Sequence, residues 1–150
     1  MEPEQIEDKF ELNRFVRAQE DSYPAALSEL KAGQKRSHWM WYVFPQIDGL
    51  GQTSMSKRYS IKSLDEAKEY LQHPVLGARL KECVDAILGI NNRSASEIFG
   101  FPDDLKLKSS MTLFEQAAED DSVFSSVLDK YYQGERDRRT LDLLNQPAKI

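Results

Sequence analysis

The amino-acid sequence predicts an all-α fold, a compact multihelical single domain of about seven to nine helices. Two observations lead to this class: apolar residues recur at spacings of three and four positions, and helix-capping residues precede most apolar stretches. A third is the lack of a clear alternating strand pattern, with residues 39–44 as the one stretch where a strand stays an open alternative. The length of 150 residues suits one domain spanning residues 1–150, with frayed ends at residues 1–7 and 147–150.

Two helices are predicted at the N-terminal end of the chain. The first covers residues 8–19, and the second begins at Ser22, carries Pro24 in its first turn and ends at Gly33. The first helix buries one stripe of residues at i, i+3, i+4 and i+7 spacing: Leu12, Phe15, Val16 and Gln19.

Serine, threonine and histidine residues mark the starts of the central helices. Thr53 or Ser54 caps a short helix, and His73 with Pro74 begins a longer one that continues to about residue 88. Two capping boxes, in which a glutamate follows a serine by three positions, begin further elements: Ser63 with Glu66, and Ser94 with Glu97.

The C-terminal third is predicted to hold three helices. Pro102 opens the first, which continues to about Ala118. The second covers residues 122–132 and ends at Gly134, and the last covers about residues 137–145.

Charge and composition exclude several classes of function. The formal net charge of −5 argues against nucleic-acid binding, because such proteins need a strongly basic surface. Cys83 is the one cysteine, so no intramolecular disulfide is available, and the two histidines show no zinc-ligand spacing. We therefore predict no metal site and no cofactor. No apolar run approaches the roughly 20 residues of a membrane span, and the acidic N-terminus is no signal peptide, so we expect no membrane partner and a cytoplasmic location.

The most unusual feature is the aromatic segment, residues 38–46, which reads His-Trp-Met-Trp-Tyr-Val-Phe-Pro-Gln. Its apolar residues are contiguous, so neither a helical nor a strand period gives it a polar face, and protein must surround it on nearly all sides. Two interpretations stay open. The rings form the centre of the core, or some of them line a pocket for a flat ligand, because aromatic faces stack on bases.

A glycine turn follows the aromatic segment. Gly49 and Gly51 let backbone amides approach a ligand, and the helix start after them, with Lys57 and Arg58, offers an anion site. As a tight helix-entry turn the same residues need no ligand, and they match neither a Walker loop nor a full dinucleotide fingerprint. The candidate ligand-binding residues are Trp39, Trp41, Tyr42, Gln46, Gly49, Gly51, Lys57, Arg58, Lys108 and Ser110.

Three residues are the candidates for catalysis. His38 is suited to act as a general base, or instead to donate to a backbone carbonyl in the core. Asp104 and Asp137 are carboxylates that would stabilise positive charge on a sugar during N-glycosidic cleavage, while helix capping explains Asp104 without catalysis. Ser110 lies on the inward stripe of its helix, where it either permits close packing or points into a polar pocket.

Several of these stretches together resemble the domain-of-unknown-function family numbered 1810, whose members are sometimes labelled calpastatin. The resemblance runs through nearly the whole chain. Its most specific part is residues 38–41 through 44–46 and 49–51, and it continues through residues 73–77 and 109–114. The resemblance implies a compact multihelical fold and supplies no activity. The helical build is also distantly similar to proteins of NAD and ADP-ribose metabolism that act on N-glycosidic bonds.

Three functional interpretations follow. The first is a binding protein or enzyme for a nucleotide-like or phosphorylated small molecule, related to NAD or ADP-ribose. The second is a non-enzymatic protein–protein interaction module, either a monomer or a homodimer. In the third, the aromatic segment is only core. The sequence does not decide whether the chain is an enzyme.

Overall fold

The computed structural model describes residues 8–119 and 122–145, and within them the chain forms nine α-helices and no strand. The all-α prediction is therefore confirmed. The frayed ends predicted at residues 1–7 and 147–150 lie outside the described residues. None of the described helices is both long enough and apolar enough to cross a membrane. The helices are α1 (Asn13–Lys31), α2 (Met40–Val43), α3 (Ser54–Arg58), α4 (Leu64–Gln72), α5 (Leu76–Leu88), α6 (Ala95–Phe99), α7 (Asp103–Ala117), α8 (Val123–Tyr132) and α9 (Arg138–Leu144).

The centre of the fold is α7. It packs against α4, α6, α8 and α9, so little of its surface is left for water. Because helices cover α7 on several sides, its sequence has no single apolar face, and serine and threonine residues occur on the same turns as apolar residues. The buried residues of α7 are Leu107, Ser109, Ser110, Met111, Thr112, Leu113, Phe114 and Ala117.

The first two predicted helices are one continuous helix, so the predicted break near Ser22 is wrong. Pro24 lies inside α1. Because proline has no backbone N–H, the carbonyl of Glu20 is left without its helical hydrogen bond. Both residues are exposed, so water can satisfy that carbonyl, and the helix continues to Lys31. The start also differs, because Glu11 has a positive φ of 54° and the helix begins only at Asn13.

The strand alternative for residues 39–44 is also wrong. Met40–Val43 forms the single helical turn α2, and Val43 and Phe44 donate to the carbonyls of Trp39 and Met40 at 3.1 Å. A contiguous apolar sequence can adopt a helical turn here because neighbouring elements cover almost every side of it. The one β-type pairing among the described residues is an isolated parallel bridge between Ile47 and Ile61.

Most of the predicted caps are confirmed. Thr53 accepts from the backbone N–H of Ser56 at 3.0 Å, and Ser94 forms the full capping box with Glu97. His73 also caps as predicted, since its Nδ1 accepts from the N–H groups of Val75 and Leu76, although α5 proper begins only at Leu76.

The predicted capping box at Ser63 is only half formed. Ser63 Oγ accepts from the backbone N–H of Glu66 at 3.1 Å, but the carboxylate of Glu66 accepts from Lys62 N–H and pairs with Arg14 at 2.7 Å. Glu66 is 1% exposed, so this ion pair is buried, and Arg14 also donates to the carbonyls of Arg58 and Ser60. The glutamate thus joins α1 to α4 and does not close the cap.

Candidate functional site

The aromatic segment is mostly interior. Trp39 and Phe44 are each 1% exposed and Tyr42 is buried, whereas Trp41 is partly open to solvent and His38, at the start of the segment, is exposed. The buried polar atoms of the segment find partners, because Tyr42 Oη lies 2.8 Å from Ser22 Oγ and the Tyr42 carbonyl accepts from Gln19 Nε2 at 2.7 Å. Most of these rings therefore pack as core, and the rings that a ligand or partner can reach are the indole of Trp41 and the imidazole of His38.

The carboxylate of Glu29 holds the entry to the aromatic segment. It accepts from the backbone N–H groups of Arg36 and Ser37 at 2.7 and 2.9 Å, from Ser37 Oγ, and from the indole Nε1 of Trp39 at 3.0 Å. Burial raises the pKa of Glu29, but these donors lower it by more, to about 2. We call Glu29 and these donors the Glu29 clamp.

The glycine turn is filled by protein atoms. A Cβ on Gly51 would lie 2.4 Å from Cβ of Ser56, and a Cβ on Gly49, whose φ is +105°, would lie 3.3 Å from Leu143. The turn therefore packs tightly against α3 and α9. This packing favours the interpretation of the turn as a tight helix entry that needs no ligand. The short α3 has its start capped by Thr53, and the side chains of Lys57 and Arg58 are exposed.

The three candidates for catalysis are engaged in local structure or lie on the surface. His38 is exposed, and its carbonyl accepts from Tyr42 Oη at 3.3 Å. Asp104 Oδ1 accepts from the next backbone N–H, that of Leu105, and Asp137 caps α9 by accepting from both N–H and Oγ1 of Thr140. These contacts account for both carboxylates without a substrate, and the catalytic assignment stays a prediction.

The remaining polar candidates lie on α7 and beside the aromatic segment. Lys108 forms an ion pair with Glu135. Gln46 is partly buried, and its carbonyl accepts from Ile61 N–H at 2.8 Å. Ser110 is fully buried, and its hydroxyl has no hydrogen-bond partner among the described residues. These side chains stay predicted ligand-binding residues.

A line of alternating charges joins the two tryptophans to the start of α7. The ammonium group of Lys35 lies 2.9 Å from Asp103 Oδ2 and 5.0 Å from the centre of the Trp39 ring. On the other side of Asp103, the ammonium of Lys106 lies 3.6 Å from Oδ1 and 5.7 Å from the centre of the Trp41 ring. Lys35 is well covered, with 7% of its side chain exposed, whereas Lys106 is 27% exposed. The partly open indole therefore stands beside an accessible ammonium group.

Sequence reasoning missed two apolar side chains at the same end of α7. Phe101 is 79% exposed and Leu105 is 51% exposed, the two large apolar residues found exposed among the described ones. Phe101 lies between Gly100 and Pro102, which interrupt helices, and this was the one available signal that a bend presents its ring. We use the name α7 entry patch for four residues at or beside the start of α7: Phe101, Leu105, Lys106 and Trp41.

The α7 entry patch stands on a well-bonded bend. The carbonyl of Gly100 accepts from Asp104 N–H at 2.9 Å, and the carbonyl of Pro102 accepts from the N–H groups of Leu105 and Lys106 at 3.0 and 3.1 Å. Gly100 has a φ of +76°, a conformation that side chains rarely adopt, and its own N–H is bonded to Ser96 O. The exposed phenyl ring is thus carried by a backbone with fixed geometry.

Residues 38–58 line none of three cavities on the surface of residues 8–119 and 122–145. One of about 460 Å³ lies between α4, α5, α7 and α8; one of about 900 Å³ lies between residues 8–13 and α4; and one of about 400 Å³ lies beside the end of α1. Among the same residues, no group of three histidine, cysteine or carboxylate side chains comes together as metal ligands. The predicted pocket beside the tryptophans is therefore not among these cavities.

Comparison with known proteins shows the family and leaves the activity open. Residues 9–144 match the family model described as "Protein of unknown function (DUF1810)". The conserved hypothetical protein Rv1873 from Mycobacterium tuberculosis, known from a crystal structure, is 53% identical, with a TM-score of 0.92 over 93% of this chain and 100% of its own. No protein with a curated description matches. Because the family model matches residues 9–144, nearly the whole chain, this chain belongs to the DUF1810 family.

Proposed function

We propose that this protein is a non-enzymatic interaction module and that a protein partner docks on the α7 entry patch. The observation that carries the proposal is the exposure of Phe101, which is 79% accessible to solvent and lies on the hydrogen-bonded bend before α7. Isolated exposed apolar side chains are common, but here Leu105 on α7 is exposed as well, and Trp41 lies beside Lys106 of the same helix. Aromatic side chains of this kind dominate the binding energy of protein interfaces.

The expected contribution of Phe101 follows from its exposure. Full burial of a phenylalanine side chain is worth about 1.5–3 kcal/mol, so covering the four-fifths that is exposed would contribute about 1–2 kcal/mol. This amount corresponds to about a 5- to 30-fold change in affinity. An interface centred on so few residues falls below the standard size of stable complexes, which predicts a transient partner.

Site-specific photo-crosslinking tests the proposal. A photoreactive benzoylphenylalanine at Leu105 is expected to give one discrete product in extracts of the native cell, and Phe101→Ser is expected to reduce its yield at least five-fold. The same probe at Arg139, an exposed residue of α9, is the matched control. Identical products from both positions, or a product that Phe101→Ser leaves unchanged, would contradict the proposal. A product with twice the chain mass identifies a homodimer, and light scattering across concentration checks that result.

The nucleotide-like or phosphorylated ligand predicted from the sequence is the second candidate, because Trp41 and Lys106 place an indole ring and an ammonium group on one surface. Thermal shift against nucleotides, NAD and ADP-ribose tests it, since a ligand at 100 times its dissociation constant stabilises the folded state by about 2.7 kcal/mol. We expect Lys106→Gln to remove any such shift. No shift at millimolar concentration with any of these compounds would exclude the second candidate and leave the interaction module unaffected.

A further inference from the structure

The cavity beside the end of α1 lies where two packed helices end next to each other. The helix α1 ends at Lys31 and α5 at Leu88, and residues from 31–33 and 85–91 line the cavity together with Arg93. All of these residues belong to the continuous described stretch 8–119. The volume of about 400 Å³ is at the lower end of the range of about 300–1,000 Å³ that is typical of ligand pockets, so a small ligand fits it best.

Charges of both signs line this cavity without pairing. Lys31, Asp85 and Arg93 are all exposed, and none of the three forms an ion pair with another described residue. The carboxylate of Asp85 therefore lies beyond ion-pair distance from both cations, although all three residues border the same space. A molecule that carries both charges can bridge this gap, whereas a simple anion or cation meets a group of its own sign.

Arg93 lies across the turn that ends α1. A Cβ on Gly33, whose φ is +80°, would lie 3.3 Å from Cδ of Arg93. The Nη2 of Arg93 donates to the carbonyl of Glu97 at 3.3 Å, a single hydrogen bond for a guanidinium group that has five N–H donors. No other hydrogen bond from Arg93 is formed within the described part of the chain, so its remaining donors can bind a carboxylate.

The end of α1 supplies hydrogen-bond acceptors at the cavity. The chain turns back after α1 through hydrogen bonds of 3.0 Å from the N–H groups of Gly33 and Gln34. No donor in residues 8–119 or 122–145 bonds the carbonyls of Lys31 and Ala32, which both line the cavity. Such carbonyls form the negative end of the helix dipole, so they favour an ammonium group. The end of α5 contributes less, because Lys130 Nζ already donates to two of its carbonyls.

We propose that this cavity binds a free α-amino acid with an aliphatic side chain. The carboxylate of the ligand contacts Arg93 and Lys31, and its ammonium group contacts Asp85 and the end of α1. The aliphatic side chain packs on Ala86 and Ile90, which belong to the apolar part of the lining, because burial of apolar surface drives binding in such pockets. The site shares no residue with the α7 entry patch and is independent of the proposed interaction.

Titration with L-leucine, followed by amide proton–nitrogen correlation NMR, tests the proposal. The backbone N–H groups of Gly33 and Gly89 report on the cavity from both helices, and we expect their signals to shift in a saturable manner at millimolar leucine. Two analogues of the same shape are the ligand controls: isocaproate lacks the ammonium group, and isoamylamine lacks the carboxylate. Each is expected to bind about 3- to 10-fold more weakly than leucine, because solvent-exposed charge pairs contribute modestly.

Charge variants assign the two ends of the ligand. Arg93→Gln is expected to weaken leucine binding about 3- to 10-fold without weakening isoamylamine binding, whereas Asp85→Asn weakens both. Arg17→Gln removes an exposed cation elsewhere on α1 and is the matched control, expected to leave the binding of all three compounds unchanged.

Gly89→Phe takes up space in the cavity without straining the backbone. Gly89 has a φ of −79°, and a Cβ there would lie 3.5 Å from the carbonyl oxygen of Ala86, an ordinary contact. The variant is therefore expected to fold and to lose leucine binding. Near-ultraviolet circular dichroism verifies its packing, and the charge variants decide alone if it does not fold. Equal affinity for leucine and both analogues, undiminished leucine binding in Arg93→Gln or in folded Gly89→Phe, or no shift of the Gly33 and Gly89 signals at tens of millimolar leucine would overturn the proposal.

Discussion

The Glu29 clamp makes a prediction about stability that depends on pH. The pKa of Glu29 falls from an ordinary value of 4.5 to about 2 in the folded protein. At about 1.36 kcal/mol for each pKa unit, this difference corresponds to about 3 kcal/mol. Glu29 is only partly buried, and solvent screening reduces the expected contribution to about 1–2 kcal/mol. We therefore expect Glu29→Gln to lower the free energy of unfolding at pH 7 by that amount.

The sign of the pH dependence follows from the lowered pKa. A carboxylate whose pKa is lower in the folded state stabilises the fold fully above about pH 4.5 and loses that contribution as the pH falls toward 2. Glu115 and Glu97 also have lowered pKa values, so the native protein loses stability in acid for more than one reason. The informative quantity is therefore the difference between the native protein and Glu29→Gln, which is expected to shrink as the pH falls.

Urea denaturation at several pH values between 2.5 and 7 measures this difference, with Trp fluorescence as the signal because Trp39 belongs to the clamp. Glu20→Gln removes an exposed carboxylate from the same helix and is the matched control, expected to cost less than about 0.5 kcal/mol at every pH. A Glu29→Gln variant that lost no more stability than Glu20→Gln at pH 7 would refute the clamp. A difference that stayed constant down to pH 2.5 would refute the pKa argument.

Three further predictions concern buried and exposed side chains. Ser110→Ala removes a hydroxyl without a partner among the described residues, and we expect it to leave the free energy of unfolding unchanged or to raise it by about 1 kcal/mol. Thr112→Val removes two hydrogen bonds, and we expect it to lower the free energy of unfolding by about 1–3 kcal/mol. Urea denaturation measures both variants, and the reverse order of stability would contradict the packing of α7. Gly51→Ala is expected to cost about 1–3 kcal/mol through its clash with Ser56, and Gly51→Ala/Ser56→Gly to recover most of it, measured as the melting temperature. A double variant no more stable than Gly51→Ala would show that the turn fails for another reason. Phe101→Ser is expected to change the free energy of unfolding by less than about 0.5 kcal/mol, and a larger loss would mean that its ring packs against the fold.

Local signals in the sequence predicted the helices well because helix starts are encoded over a few residues. Ser94 and Glu97, for example, form their capping box entirely within one turn. Pro24 misled the prediction because the effect of a proline depends on whether the carbonyl it leaves unbonded can meet water, which only the folded surface decides. The capping box predicted for Ser63 and Glu66 was wrong in part for a similar reason. Glu66 pairs with Arg14, a residue distant in the sequence, and this contact competes with the local cap.

The candidate site was harder to predict because the sequence shows which residues are apolar but not which of them neighbouring elements cover. The aromatic segment was correctly expected to be surrounded by protein, yet nothing in residues 38–46 distinguishes Trp41, which is partly open, from Trp39, which is 1% exposed. Phe101 was overlooked because one phenylalanine before a proline carries no periodic pattern. The cavity between α4, α5, α7 and α8 was also out of reach, since its walls come together only through the packing of these helices.

The aromatic segment bears on the proposed docking surface through the residues just before it. The backbone N–H of Lys35 donates to Ile98 O at 2.7 Å on α6, and its ammonium group pairs with Asp103 in the first turn of α7. These two contacts fix the helices on both sides of the bend that carries Phe101, and the Glu29 clamp fixes the backbone immediately after Lys35. The most distinctive stretch of the sequence therefore supports the proposed interaction mainly by holding the bend in place, while the partly open indole of Trp41 lies beside Lys106 of the patch.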